Sequence, residues 1–167
     1  MRGVAATALG TFFARVSEYA TDSSTPSLPD MLTFVQEREA QTPGIAGGFL
    51  QGAGWSMDEG IWEGLDMKSW FLETLRQSRP EPKTPHVQTL EFYAHEFFAF
   101  DAEAIRELLN MGRKHLAVMT ATEEPNAIPT LRPLLDEMAA SDDPAISAAI
   151  REYLIVQEHH AGLRHMS

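Results

Sequence analysis

Cysteine does not occur in this chain. Its absence excludes disulfides, thiolate zinc sites and a cysteine nucleophile, and it fits a reducing compartment such as the cytoplasm. Long apolar runs are missing too. A bilayer-crossing helix needs about 20 mostly apolar residues, so no membrane partner is expected. Basic residues are scarce, with 13 Lys and Arg against 24 Asp and Glu and a net charge of −11 at pH 7. Binding to nucleic acid or an anionic surface needs clustered Lys and Arg, so nucleic acid is not an expected partner either. A basic protein partner fits, because a surplus of acid speeds such an encounter. The charge is spread as −2, −4 and −5 over residues 1–50, 51–100 and 101–167, with no acidic tail. Familiar catalytic signatures are lacking: there is no Gly-x-Ser-x-Gly elbow and no Ser-x-x-Lys. "GIAGGFLQGAG", residues 44–54, ends without the Gly-Lys-Ser/Thr of a phosphate loop.

What is present is helical periodicity. At 167 residues one domain over 1–167 is the expected organisation. Ala6, Leu9, Phe13 and Val16 recur at helical spacing, which favours a first amphipathic helix over a signal peptide for residues 4–20. Ser27, Pro29 and Asp30 form a start signal for a second helix that ends before Thr42, Pro43 and Gly44. Five glycines in residues 44–54 disfavour a helix at about 1 kcal/mol each, which predicts a connector. "SMDE", residues 56–59, reads as a capping box for a helix from Met57 to Gln77. Three prolines in residues 76–85 mark a second connector. Thr84 and Pro85 then open a helix through "HVQTLEFYAHEFFAF", and Asp101 caps another from Ala102 to about Thr122. At the C-terminus Asp143-Pro144 starts a long helix, with Ile146, Ile150 and Leu154 on its core side and Gly162 at its end. The fold expected is all-α, an irregular or orthogonal bundle of about six or seven helices with a C-terminal helical hairpin. Residues 128–155 resemble one repeat of a HEAT-type helical solenoid, in the proline-bent first helix and the "DDPAISAAIREYL" of the second. The resemblance covers under a fifth of the chain, and no second copy follows at a repeat period, so it implies hairpin chemistry and no family.

Candidate site residues fall into three groups. Trp55, Trp62 and Phe92 are candidate anchors for a partner, since Trp and Tyr are enriched where partners bind and an exposed Phe marks a contact surface. Asp136, Glu137, Asp142 and Asp143 gather near one end of the C-terminal hairpin, where they can steer a basic partner. Glu91 and His95, four apart on one helix, could supply two metal ligands, with others from His86, Glu96, His115, His159 or His160. That third group should face water, because Val87, Leu90, Tyr93, Ala94, Phe97 and Phe98 define the opposite, apolar side. His159 and His160 are adjacent, so they point roughly 100° apart. The expected function is therefore a non-catalytic protein-binding module of adaptor, dedicated-chaperone, inhibitor or immunity type, with no cofactor. The alternatives are a helical metal-dependent enzyme using Glu91, His95, His159 and His160, and a self-associating regulatory or structural subunit.

Overall fold

The computed structural model describes residues 2–19, 27–54, 62, 64–78 and 85–164, the side chains of 2–3, 14–19, 85–88 and 161–164 excepted. The regular secondary structure of the described residues is all helix, with no strand among them. The helices are α1 (Arg2–Tyr19), α2 (Leu28–Glu39), α3 (Ile45–Ala53), α4 (Met67–Gln77), α5 (Pro85–Phe98), α6 (Ala102–Asn110), α7 (Lys114–Thr122), α8 (Ile128–Ala139) and α9 (Pro144–Arg164). These nine α-helices among the described residues correct the expected six or seven, for two reasons. The glycine-rich stretch is itself a helix, and the helix expected from Ala102 to Thr122 is broken in two. Gly112 breaks it by adopting φ +75, a left-handed conformation that side chains with a Cβ rarely take. Two compact units divide the chain, Met1–Phe97 and Phe98–Ser167.

In the first unit, the second helix starts as its sequence signals. Ser27 accepts a hydrogen bond from the Asp30 amide, and Asp30 reaches back to the Ser27 N–H, 3.3 Å away. The expected connector at 44–54 folds as α3 because tertiary packing outweighs propensity. Its glycines are what let α1 lie against it. Gly10 of α1 and Gly52 of α3 meet backbone to backbone, with no space for a Cβ on either. Phe13 packs against Phe49 in the same contact, with ring centroids 6.1 Å apart and the planes tilted by 45°. Glu39, the last residue of α2, is wholly buried. Its carboxylate accepts from the N–H groups of Gly44 (2.9 Å) and Ala46 (2.8 Å) at the start of α3, and from the Ser78 hydroxyl (3.1 Å). An anion at a helix N-terminus is favoured by the exposed N–H groups and the dipole there.

The helix expected from Met57 to Gln77 is shorter. Gly64 lies at φ +78 and Asp66 caps α4 through the Ser69 amide (3.0 Å). The "SMDE" box lies outside the described residues. Trp70 is buried in α4 and donates its indole N–H to the Leu32 carbonyl (3.0 Å), which ties α4 to α2.

In the second unit α6 packs on α7, α8 on α9, and α9 also on α7. Asp101 caps α6, accepting from Glu103 (3.1 Å) and Ala104 (3.0 Å). The hairpin of α8 and α9 forms as expected, with Pro133 inside α8 and Asp143 accepting from Ala145 (2.9 Å) at the start of α9. Gly162 does not end α9, which continues to Arg164. No helix among the described residues is long and apolar enough to cross a membrane.

Candidate functional site

A hollow of about 350 Å³ opens in the second unit, at the small end of the range for ligand pockets. Leu109 at the end of α6, Met138 near the end of α8 and Ile146 in the first turn of α9 supply its apolar lining. Lys114, Glu137, Ser141 and Asp143 supply the polar lining. The sequence explains this placement locally. Gly112 turns the chain sharply between α6 and α7, and "ASDD" turns it between α8 and α9. Each turn delivers a helix start, and both starts face the same hollow.

The charges here are organised in pairs. Lys114 Nζ lies 2.6 Å from Asp143 Oδ2. Asp143 Oδ1 meanwhile accepts from the N–H groups of Ala145 (2.9 Å) and Ile146 (3.3 Å). One carboxylate thus caps α9 with one oxygen and holds a cation with the other. Glu137 Oε2 accepts from Arg106 Nε (3.1 Å) and Nη2 (3.0 Å). Ser141 Oγ accepts from the Asp143 amide at 3.2 Å, which steadies the turn.

The Lys114 ammonium first, and the Ile146 and Ala145 N–H groups after it, hold the Asp143 carboxyl below its ordinary 3.8. The folded value is depressed, so Asp143 stabilises the fold above the unfolded value and loses that contribution as pH falls through the lower folded one. The thermal midpoint should therefore decline as pH drops below about 3.8, and Asp143→Asn should flatten part of that decline. Asp66, lowered chiefly by the Ser69 amide, and Glu73, lowered chiefly by Gln77, keep their own share in the variant. A melting series across this range reads the difference. An unchanged slope in Asp143→Asn would mean that the Lys114 contact does not form in solution.

The acidic candidates are thus partly united. Glu137 and Asp143 line one hollow, whereas Asp136 pairs along α8 with Arg132 (2.9 Å) and Asp142 is exposed in the turn. Lys114 and Arg106 were missed by the sequence reading. A signal existed for the first, because Arg113-Lys114 follows Gly112 and places positive charge at a helix N-terminus, where the dipole opposes it. Seeing it required the break at Gly112.

The anchor candidates separate. Trp55 lies outside the described residues. Trp62 is 7% exposed, which corrects its expected role as a surface anchor, since large aromatics gain more from burial than from a place in water. Phe92 is 50% exposed on α5, as a contact residue requires, with its ring 5.7 Å from that of Tyr93.

The expectation that Glu91 and His95 face water is also corrected. His95 is 5% exposed and Glu91 is half-buried. At about 100° per residue, the buried Leu90, Ala94, Phe98 and His95 define an arc turned toward the polar side, which leaves Phe92 and Glu96 facing out. His159 and His160 are exposed and adjacent on α9, ring centroids 6.4 Å apart. Among the described residues no group of three or more His, Asp or Glu is placed to hold a metal ion. Tyr153 of α9 has a buried hydroxyl with no hydrogen-bond partner among the described residues, and burial with Glu124 nearby pushes its phenol up.

No family model, curated protein or solved structure matches this chain.

Proposed function

We propose that this chain is a non-catalytic protein-binding module, of adaptor, dedicated-chaperone, inhibitor or immunity type, that grips a basic segment of a partner. The observation that carries this reading is the hollow of the second unit, where apolar Leu109, Met138 and Ile146 lie beside the carboxylates of Glu137 and Asp143. Apolar surface supplies binding energy, and placed carboxylates supply orientation and selectivity. The net charge of −11 adds long-range attraction for a basic partner. Phe92, exposed in the first unit, offers a separate apolar contact. A cytoplasmic location belongs to the same reading, with which the absence of cysteine is compatible.

The test compares tagged wild-type protein with Glu137→Arg as bait in cell extract, each partner being measured quantitatively. Glu137 is well exposed, so reversing its charge leaves the core alone. A genuine partner should bind wild type and fall about tenfold with the variant, as reversal of a charge beside the contact slows association and weakens binding. A partner set identical for both baits would sink this use of the hollow. If wild type elutes as a stable multimer with no other protein attached, self-association replaces the reading.

A further inference from the structure

The Lys114–Asp143 pair does more than join two helix starts. Asp143 is doubly committed: Oδ1 is bound by the first amides of α9, which fixes the carboxylate plane and leaves Oδ2 directed at Lys114. Lys114 is held far less firmly. Its side chain is 61% exposed, against 23% for Asp143. It stands in the first turn of α7, where a positive charge is opposed by the helix dipole. Capping keeps the anion in place without the cation, whereas the lysine stem is flexible and its strongly hydrated ammonium can exchange Asp143 for water. Both residues line the same hollow as Leu109, Met138 and Ile146.

Resting on the proposed binding of a basic segment, we infer that Lys114 is a resident stand-in for the guest's cation, so that an arginine or lysine side chain of the partner enters the hollow by displacing it from Asp143. The guest's aliphatic stem lies along Leu109, Met138 and Ile146, and its charged end takes Asp143 Oδ2. The preformed ion pair keeps Asp143 satisfied while the hollow is empty. It also lowers the affinity for any single basic residue, because each guest competes with a cation already in place. Only a segment with further contacts overcomes that competition, so Lys114 acts as a selectivity filter. Lys114 is the exposed partner, and Asp143 keeps its capping of α9 without it, which makes the filter separable from the fold.

The probes are acetyl-Gly-Arg-Gly-amide and acetyl-Gly-Lys-Gly-amide, with the citrulline tripeptide as the uncharged isostere of the first. Amide chemical shifts of the full chain are followed at fixed ionic strength in wild type, Lys114→Met and Arg132→Met. Lys114→Met keeps an apolar stem and removes the competing charge. Arg132→Met removes an equal charge from a residue that pairs with Asp136 and does not line the hollow. The expected result is saturable shifts at Leu109, Ser141 and Ile146, at least threefold tighter in Lys114→Met than in wild type. Arg132→Met should tighten binding less, and the citrulline probe should not saturate. If a probe saturates at the hollow but Lys114→Met binds no more tightly than Arg132→Met, the stand-in role is overturned while the basic-segment reading survives. If neither cationic probe saturates there in wild type or Lys114→Met, both fall. Native-like amide spectra confirm that each variant is folded, and Lys114→Gln serves as a second charge-removing substitution.

Discussion

Gly52→Ala is expected to destabilise the first unit by about 3 kcal/mol, the upper end of the usual cost of overpacking. In an isolated helix the same change would stabilise by about 1 kcal/mol, because alanine has the better helix propensity. The sign is therefore diagnostic. A Cβ on Gly52 would overlap the Thr7 carbonyl oxygen, and would stand 2.7 Å from the Thr7 carbonyl carbon and 2.9 Å from the Thr11 nitrogen. All three atoms are backbone, so no side chain can swing aside and the helices must separate. Gly10 presents the mirror case: its Cβ would overlap the Phe49 carbonyl oxygen and lie 2.7 Å from the Ala53 nitrogen. Separating α1 from α3 would also loosen the Phe13–Phe49 contact. Urea unfolding followed by circular dichroism measures the change. A Gly52→Ala protein as stable as wild type would mean that α1 does not lie against α3 in solution.

Glu39→Ala should have an effect of similar size, about 3 kcal/mol or more, by a different route. Removing the carboxylate strands the Gly44 and Ala46 amides in a buried site and takes one acceptor from the Ser78 hydroxyl. An unsatisfied buried polar group costs about 1–3 kcal/mol, and truncation adds a cavity. Glu39→Gln is the informative companion. Its carbonyl oxygen can still accept from the two amides, while its NH2 group turns toward Ser78. The loss should then be smaller, about 1 kcal/mol, reflecting the charge that favours the start of α3. Equal stability for Glu39→Ala and wild type in denaturant titration would remove Glu39 from its place under α3. Equal losses for the alanine and glutamine variants would show that the negative charge, rather than the hydrogen-bond geometry, dominates.

These two residues also mark where one-dimensional reading stops. Glycine is a poor helix former, and on propensity alone residues 44–54 form a connector. What reverses that outcome is a helix whose own glycine, 42 residues earlier in the chain, fits the gap, and no local pattern encodes that fit. Glu39 is similar. At the end of α2 a glutamate reads as a solvated charge, because the amides that receive it belong to the next helix. His95 is buried for the same kind of reason: the apolar arc of α5 is broad, and which edge of it meets neighbours is set by packing. In the hollow, Glu137 and Asp143 were visible as acids near one end of the hairpin. Lys114 is hidden in the sequence because helical periodicity runs on across Gly112, and only the left-handed turn there makes it a helix start.

The order of residues alone determined the helical class, the starts of α2, α6 and α9 at Ser27, Asp101 and Asp143, and the C-terminal hairpin. Those features rest on interactions within a few residues, where a side-chain oxygen meets an amide two or three positions on. Tertiary structure decided that a glycine-rich segment coils, that an acid is buried, and that Lys114 meets Asp143 beside an apolar hollow. Each of those depends on groups distant in the chain, whose mutual approach is governed by the packing of whole helix surfaces.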